Sequence, residues 1–240
     1  MHVKKAIVIG ASSGIGKELV RQLYSNNYKI GITGRRTRLL DELKSESPGK
    51  LIIKTFDITD TVDSIKCLEE LVLELEGLDL LVISSGTGEL NESLDFEAEK
   101  TTIDTNVTGF TNIVDWGYNY FQKQNSGHLV AITSIAGLRG SKAAPAYNAS
   151  KAYQINYIEA LRQKAISSRK NIIITDIRPG FVDTAMAKGD GLFWVSSAKK
   201  AAKQIFKVIK KKKTIAYITK KWAVAALILK CIPNYIYNRF

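Results

Sequence analysis

Short apolar runs alternate with longer amphipathic stretches along most of this 240-residue chain. The runs are rich in Ile and Val, and they predict strands at residues 5–10, 29–34, 51–56, 78–84, 128–134, 171–177 and 214–219. The stretches between them, such as GKELVRQLYSN and TDTVDSIKCLEELVLELEG, have the apolar spacing of helices. This alternation predicts an α/β fold, with one doubly wound parallel sheet of about seven strands and helices on both faces.

Composition supports a single domain over residues 1–240, because no repeat, linker or composition break interrupts the pattern before residue 178. Cys67 and Cys231 lie far apart, which gives no disulfide framework and indicates a reducing compartment. The N-terminus enters a strand pattern at once and leaves no room for a signal peptide, so we expect a cytoplasmic protein. With His2 and His128 as its histidines and no zinc spacing, the chain predicts no metal site.

The first predicted strand runs into GASSGIG, which contains Gly10, Gly14 and Gly16. Glycine lets the backbone approach a ligand closely, and the N-terminus of the following helix attracts an anion. The spacing GxxxGxG between a strand and a helix therefore indicates a site for the pyrophosphate of a dinucleotide. The alternative is a glycine-rich turn that only packs tightly.

Arg35, Arg36 and Arg38 follow the second predicted strand, and no acid occurs before Asp41. An NAD site places an acid near the end of this strand, whereas an NADP site presents a guanidinium to the 2′-phosphate. Cations at the start of a helix oppose its dipole, so a bound ligand explains them better than a solvated helix start does. We expect NADP(H) to be favoured over NAD(H).

The stretch YNASK places Tyr147 and Lys151 on one face of a predicted helix. A phenol has a pKa of about 10, and a nearby ammonium lowers it. Such a pair makes a proton donor for a carbonyl oxygen, and Ser134, which ends the fifth strand, can hold the same oxygen. Tyr217 and Lys221 have the same spacing but lie at an apparent strand with no equivalent serine, and we interpret them as a chance pair.

These features together resemble the short-chain dehydrogenase/reductase family over about residues 4–185. The likeness rests on ordered motifs, namely GASSGIG (10–16), Asp57 in FDITD, Asn106 in DTNVTG, Ser134 in ITSIAG, YNASK (147–151) and PGFVDT (179–184). The resemblance implies a Rossmann-type fold. It also implies an oxidoreductase that transfers a hydride between a nicotinamide cofactor and a carbonyl or secondary alcohol.

The resemblance further implies roles for single residues. Tyr147 would be the general acid in reduction and the base in oxidation, and Lys151 would lower the pKa of Tyr147 and bind the nicotinamide ribose. Ser134 would orient and polarise the substrate carbonyl. Asn106 would help to hold a water chain leading to Lys151. The implied cofactor-binding residues are Gly10, Ser12, Ser13, Gly14, Ile15 and Gly16 at the pyrophosphate, Arg35 and Arg36 at the 2′-phosphate, Asp57 and Ile58 beside the adenine, Ser85 and Gly86 after the fourth strand, Pro179, Gly180, Val182 and Thr184 beside the nicotinamide, and Tyr147 and Lys151 themselves.

One stretch departs from the family pattern. After the fourth strand the family usually reads Asn-Asn-Ala-Gly, and this chain reads ISSG at residues 83–86. The small residues still admit the cofactor, but the amides that commonly brace this region are absent. Three motif residues also have simpler alternatives when taken singly: Asn106 as a helix-interior amide, Ser134 as a strand-end cap and Asp57 as the start of a turn.

Residues 181–198 are predicted to form a substrate lid, as the corresponding segment does in the family. Gly189 and Gly191 suggest mobility there. The side chains that would close over an apolar or lipid-like substrate are Phe181, Met186, Leu192, Phe193 and Trp194. The alternative is a helix pair packed on the core.

The net charge of +12 belongs to the end of the chain, since residues 191–240 carry 12 Lys and Arg and no acid. Residues 199–240 form a basic, apolar extension of the same domain, in which the apolar stretch 222–229 is too short to span a bilayer. With Trp222, Tyr235 and Tyr237 it suits the surface of an anionic membrane. The alternative is a C-terminal helix packed on the body or on a partner subunit. A lysine run without a groove-reading motif predicts no nucleic-acid partner.

The function predicted best is an NADPH-dependent carbonyl reductase, or the reverse alcohol dehydrogenase, acting on a small apolar or lipid-like molecule. We expect a cytoplasmic homodimer or homotetramer, with peripheral contact at the inner membrane surface through residues 199–240. The alternative function is an NADP-binding protein that acts mainly through association of its basic tail with a membrane or a partner.

Overall fold

The computed structural model describes residues 3–184 and 193–239. Its strands are β1 (Lys5–Ile9), β2 (Lys29–Gly34), β3 (Leu51–Thr55), β4 (Leu80–Ile83), β5 (Ser126–Ile132), β6 (Asn171–Pro179), β7 (Val182–Asp183), β8 (Ser196–Ser197) and β9 (Ile215–Ile218). Its helices are α1 (Gly14–Tyr24), α2 (Thr37–Ser45), α3 (Thr61–Leu75), α4 (Phe96–Ile103), α5 (Phe110–Gln124), α6 (Pro145–Ser167), α7 (Ala198–Lys210), α8 (Lys221–Cys231) and α9 (Asn234–Tyr237).

The main sheet has seven parallel strands in the order β3-β2-β1-β4-β5-β6-β9. The predicted α/β class, the strand number and the parallel direction are confirmed. The predicted strands differ from the observed ones only at their ends, as in residues 78–84, where β4 spans Leu80–Ile83. The short strands β7 and β8 pair with each other, apart from the main sheet.

The core lies on both faces of this sheet because successive strand residues point in opposite directions. In β1, Ala6 and Val8 belong to the apolar cluster beneath α1 and α7. Ile7 and Ile9 belong to the cluster beneath α3, α5 and α6. The all-apolar strands read from the sequence are therefore covered on both sides, as predicted.

The strand order reverses between β1 and β4. After β1 the chain continues to β2 and β3 on one side of the sheet, and after β4 it continues to β5 and β6 on the other side. In sheets of this kind, ligands bind in the crevice outside the carboxyl ends of the strands at that reversal. The glycine turn follows β1 and the ISSG stretch follows β4, so the topology brings both to this crevice.

The C-terminal extension begins inside the body, since α7 contributes to the core and β9 is the last strand of the main sheet, and its final part packs on the body through one side of α8. Trp222 is buried against Ile135 in a small apolar cluster. Arg139 fixes the end of the extension, because its Nη1 donates to the carbonyl of Ile232 at 3.1 Å and its guanidinium carbon lies 4.2 Å from the ring centroid of Tyr237. Within the described ranges no helix is both long and apolar enough to cross a bilayer.

Candidate active site

Ser134, Tyr147 and Lys151 meet near the carboxyl end of β5. Ser134 begins a 3₁₀ turn (Ile135–Leu138), and its hydroxyl accepts a hydrogen bond from the amide of Ala136 at 3.1 Å. Tyr147 lies in the first turn of α6, next to the Ser134 side chain, which acts to lower the pKa of the phenol. Lys151 follows one turn later, with Nζ 5.8 Å from the centroid of the Tyr147 ring. Ser134 thus caps the turn after the strand, which is the simpler alternative considered for it, and it also lies beside Tyr147.

The turn that bears Ser134 is fastened to α6 by Asn148. Its Nδ2 donates to the carbonyls of Ala136 and Arg139 at 2.9 and 2.8 Å. Gly137 allows the close approach, since a Cβ there would lie 2.5 Å from the carbonyl carbon of Lys151. Sequence reasoning did not single out Asn148, although its place inside YNASK was a usable signal.

Burial raises the pKa of Tyr147, and the hydrogen bond with Ser134 opposes this rise only in part. The net pKa of Tyr147 thus lies above its ordinary value, and the predicted lowering by Lys151 stays a prediction. Lys151 is 3% exposed, and burial lowers its own pKa to about 8, while the charge of Asp176 acts in the opposite direction.

Asn106 is fully buried in a π-helical turn (Asp104–Gly109) between α4 and α5. Its Oδ1 accepts from the amide of Thr87 at 2.9 Å, and its Nδ2 donates to the carbonyl of Thr87 at 2.6 Å and to Ser150 Oγ at 3.0 Å. Asn106 thus braces the backbone after β4, which compensates for the missing amides of the ISSG stretch. The predicted role of Asn106 in a water chain stays a prediction.

Gln154 links Asn106 to Lys151, and sequence reasoning missed it. Its Nε2 donates to the main-chain carbonyl of Asn106 at 2.9 Å, and its Oε1 accepts from Lys151 Nζ at 2.9 Å. The side chain is 1% exposed. The available signal was its position on the buried stripe of α6 that continues through Ile158 and Leu161, where an amide needs a partner.

Two glycines after β4 leave room for these groups. A Cβ at Gly86 would lie 3.3 Å from Asn106 Oδ1 and 3.4 Å from Lys151 Nζ. A Cβ at Gly88 would lie 2.2 Å from Cδ2 of Tyr147, a distance at which the ring must move. Gly88 therefore lets the Tyr147 ring occupy its observed position.

The glycine turn after β1 needs its glycines for its shape. Gly10 and Gly14 have left-handed φ angles of 82° and 56°, and a Cβ at Gly16 would lie 2.1 Å from the carbonyl oxygen of Gly10. Ser13 precedes α1 without capping it through its side chain, and the first turn of α1 carries no acid. Its first amides and its dipole are thus available to an anion. Ile15 packs toward the core instead of facing outward.

Arg36 and Arg35 flank this turn at the carboxyl end of β2. Arg36 Nη2 donates to Ser12 Oγ at 2.8 Å and to Ser13 Oγ at 2.7 Å. Arg35 Nη1 lies 3.4 Å from Asp57 Oδ2, and both side chains are solvent-accessible. Sequence reasoning expected both guanidiniums to face a ligand; the structure brings Arg36 onto the turn and pairs Arg35 with Asp57.

Asp57 starts a turn, as its simpler alternative held, by accepting hydrogen bonds from the amide and hydroxyl of Thr59 at 3.0 and 2.9 Å. Burial acts to raise the pKa of Asp57, but the hydrogen bonds from Thr59 and the charge of Arg35 outweigh it and lower the pKa. Ile58 beside it is buried. The predicted contact of Asp57 and Ile58 with an adenine stays a prediction.

The segment after β6 meets the glycine turn. Gly180 follows Pro179 and donates its amide to the carbonyl of Ile218 at 2.7 Å. Thr184 lies against Gly14, since a Cβ at Gly14 would lie 3.0 Å from Thr184 Cγ2. Val182 is buried between these points, in β7. Met186 and Leu192 of the predicted lid lie outside the described residues.

Thr33 and Ser85 add two hydroxyls to the crevice, Thr33 near the end of β2 and Ser85 just after β4. Among the described residues, Thr33 Oγ1 and Ser85 Oγ are buried without a hydrogen-bond partner. Buried hydroxyls of this kind call for a partner. Together with the uncapped start of α1 and the guanidiniums at β2, they fit a phosphate-bearing dinucleotide.

Tyr217 and Lys221 lie in different elements, which agrees with their interpretation as a chance pair. Tyr217 lies in β9, and its hydroxyl accepts from Arg178 at 3.2 Å. Arg178 also pairs with the fully buried Asp176 through Nε at 2.6 Å. Asp176 further accepts from the hydroxyl of Thr133, next to Ser134, at 2.6 Å. This network was missed, although a lone acid in the apolar strand NIIITDI marked it.

Comparison with known proteins agrees with this geometry. A profile of the family described as short chain dehydrogenase matches residues 4–191. An oxidoreductase of Staphylococcus epidermidis is 30% identical over 190 residues, which cover 78% of this chain and 81% of the relative. An oxidoreductase of Myxococcus xanthus is 32% identical over 191 residues, 78% of this chain and 75% of the relative.

Solved structures show the same fold. A short chain dehydrogenase from Bacillus anthracis superposes with a TM-score of 0.80 at 18% identity, over 90% of this chain and 94% of its own. A serine dehydrogenase complexed with NADP+ gives 0.79 at 24% identity, over 89% and 94% of the two chains. A short chain dehydrogenase/reductase from Burkholderia phymatum in complex with NAD gives 0.83 at 18% identity, over 93% and 92%. The chain belongs to the short-chain dehydrogenase family.

Proposed function

We propose that the protein is an NADP(H)-dependent oxidoreductase that interconverts a carbonyl and a secondary alcohol. The placement of Ser134 beside the Tyr147 phenol carries this proposal, because a buried lysine follows one helical turn later with Nζ 5.8 Å from the centroid of the Tyr147 ring. A serine, a tyrosine and a lysine so placed can hold a substrate oxygen and exchange a proton with it.

In the direction of reduction, each of these residues has a defined task. Bound NADPH supplies the hydride. Because burial raises the pKa of Tyr147, its hydroxyl keeps its proton at neutral pH and can donate it to the carbonyl oxygen as negative charge develops there. Ser134 holds that oxygen next to the phenol. Lys151, charged below a pKa of about 8, binds the nicotinamide ribose.

The cofactor preference rests on Arg35 and Arg36, since the solved neighbours include complexes with NADP+, NADP and NADPH as well as one with NAD. Both guanidiniums lie at the end of β2, where a 2′-phosphate distinguishes the two cofactors. The remaining contacts that we propose for the cofactor are those of Gly10, Ser12, Ser13, Gly14, Ile15, Gly16, Asp57, Ile58, Ser85, Gly86, Tyr147, Lys151, Pro179, Gly180, Val182 and Thr184.

An apolar or lipid-like substrate is supported by an aromatic wall beside Gly180. Trp222 packs so closely on Gly180 that a Cβ there would lie 2.0 Å from its Cε2. Phe181, Phe193 and Trp194 surround Trp222 with ring-centroid distances of 5.3, 5.2 and 5.7 Å, and each of these three remains partly exposed. Exposed aromatic side chains next to a binding segment favour apolar contacts.

We also propose that the C-terminal extension contacts an anionic membrane surface, because α8 is apolar on the side that the body leaves open. Val224, Leu227 and Ile228 point outward and are 59%, 64% and 54% exposed. Lys221 and Lys230 flank this outward stripe on a helical projection. Apolar residues bordered by lysines suit a helix that lies in the interface of an anionic bilayer.

A second copy of the chain fits this stripe less well. Residues 193–239 contain twelve Lys and Arg and no acid, so a two-fold contact through the stripe would bring like charges together.

We place the contact of a homodimer or homotetramer instead on α5 and α6, where Trp116, Tyr120 and Tyr153 are only partly buried. Sedimentation velocity gives the number of subunits, and a monomer would contradict this proposal.

Tyr147→Phe removes the proton donor while keeping the ring. We expect the rate of carbonyl-dependent NADPH oxidation to fall by about 10²–10⁴-fold, with NADPH still bound, since the hydroxyl acts on the substrate. Absorbance of NADPH across a panel of ketones, sugars and acyl-chain carbonyls gives the rate, and cofactor fluorescence gives binding. A variant with wild-type turnover would exclude Tyr147 as the acid.

Gly88→Ala places a methyl group against the Tyr147 ring. We expect turnover to fall on the order of 10²-fold because the ring must move from its position. Gly140→Ala is the matched control, since a Cβ there has no heavy atom within 4 Å. Equal turnover of the two variants would show that Gly88 has no part in placing Tyr147.

Arg35→Ser tests the cofactor preference. We expect the ratio of kcat/KM for NADPH to that for NADH to fall by about tenfold or more, because a charge-assisted bond to the 2′-phosphate is lost. Arg38→Ser is the control, since the Arg38 side chain is 82% exposed and pairs with Glu42. An unchanged ratio in Arg35→Ser would remove Arg35 from this role.

Co-sedimentation with vesicles tests the membrane contact. The protein should pellet with phosphatidylglycerol vesicles, less so with added salt, and not with phosphatidylcholine alone. A Val224→Ser, Leu227→Ser, Ile228→Ser variant should lose pelleting. The control replaces Val62, Leu73 and Ile166 with serine, because these residues are 79%, 77% and 73% exposed elsewhere. If the α8 variant pellets as well as the wild type does, the stripe is excluded as the membrane contact. If the number of subunits of the variant changes instead, the stripe is an interface between subunits.

A further inference from the structure

Gln154 completes a chain of side-chain contacts that ends on Lys151. Thr87 and Ser150 hold the side-chain amide of Asn106. The main-chain carbonyl of Asn106 accepts from Gln154 Nε2 at 2.9 Å, and Gln154 Oε1 accepts from Lys151 Nζ at 2.9 Å. Asn106, Lys151 and Gln154 are 0%, 3% and 1% exposed. The family resemblance led us to expect a water chain between Asn106 and Lys151, and an amide side chain spans that distance here.

We propose that Gln154 is a positioning residue that fixes the ammonium of Lys151 for the reaction. The proposal rests on the proposed function, in which Lys151 serves the cofactor and the site of Tyr147. Its basis is the pair of hydrogen bonds at the two ends of one buried amide, which together determine where the Lys151 ammonium lies.

The amide can act in this way because its two ends are different. Nε2 can only donate, and the Asn106 carbonyl can only accept, so Oε1 must face Lys151. An ammonium has three N–H groups, and this contact takes one of them. The other two remain for partners on the side of Tyr147 and Gly86. A carboxamide keeps both its protons near neutral pH, so Gln154 holds Lys151 and does not relay protons from it.

Few charges compete with Gln154 in setting the state of Lys151. From α6 itself, Tyr147 faces Lys151 across 5.8 Å. From β6, Asp176 favours the charged form of Lys151, while Asp176 itself is paired with Arg178. Asn106 is neutral. A carboxylate at position 154 therefore acts on Lys151 at hydrogen-bond distance, while it gives up the bond that Gln154 Nε2 donates to the main-chain carbonyl of Asn106.

Gln154→Glu and Gln154→Met separate positioning from packing. Glutamate places an anion at 2.9 Å from Nζ and favours the ammonium, so the alkaline limb of the pH–rate profile should move from about pH 8 to higher pH by about one unit or more. Methionine keeps the volume but gives Lys151 no strong acceptor, and the limb should move to lower pH. Gln163→Glu is the control, because Gln163 is exposed on the same helix.

A second measurement does not depend on turnover. In the folded protein the pKa of Lys151 is about 8, whereas in the unfolded chain it has the ordinary lysine value. Between these two pH values the unfolded chain binds one more proton than the folded protein at this residue. Lys151 therefore makes the free energy of unfolding rise with pH. Gln154→Glu raises the folded pKa and should remove that rise, as urea unfolding at several pH values would show. Gln163→Glu should keep it.

The two measurements distinguish the outcomes. If both the stability slope and the rate profile respond in Gln154→Glu and neither responds in Gln163→Glu, the positioning role is supported. If only the stability slope responds, the contact exists but the positioning role is overturned. If neither responds, the contact itself is overturned. A different result would contradict the proposed function and leave the contact standing. In that case, the wild-type protein oxidises NADPH with no carbonyl of the panel, but Gln154→Glu still changes the dependence of the unfolding free energy on pH.

Discussion

A buried ammonium is the constraint around which this site is organised. Lys151 is 3% exposed, and a charge so placed is costly unless the protein supplies partners for it. Its partners are Gln154 on the same helix and the charge of Asp176 on β6, and the missing side chain of Gly86 after β4 leaves room for it. The strand order brings these segments together, so the position of one lysine depends on the whole carboxyl edge of the sheet.

Much of this arrangement could be predicted from the sequence because it depends on local patterns. Apolar runs of Ile and Val gave the strands, and GASSGIG between a strand and a helix gave the turn whose glycines have left-handed φ angles. Tyr147 and Lys151 were found because a helix places residues four apart on one face. Each of these inferences needs only neighbouring residues and a known period.

The features that sequence reasoning missed depend on contacts between distant segments. Gln154 looked like any polar residue of an amphipathic helix, and its importance appears only when the Asn106 carbonyl lies 2.9 Å away. The burial that raises the pKa of Tyr147 was missed for a similar reason. The spacing showed the ammonium nearby, but the burial comes from the packing of the surrounding segments, such as Gly88 against the ring.

The packing of Trp222 on Gly180 and Ile135 has a practical consequence for work with this protein. The last helices form part of the wall beside the proposed site, because Ile135 directly follows Ser134 and Gly180 directly follows Pro179. Truncation before α8 would therefore remove Trp222 from Ile135 and Gly180, together with the contacts that Arg139 makes with Ile232 and Tyr237. An affinity tag for this enzyme belongs at the N-terminus, which leads into β1 on the opposite edge of the sheet from the carboxyl ends where the site lies.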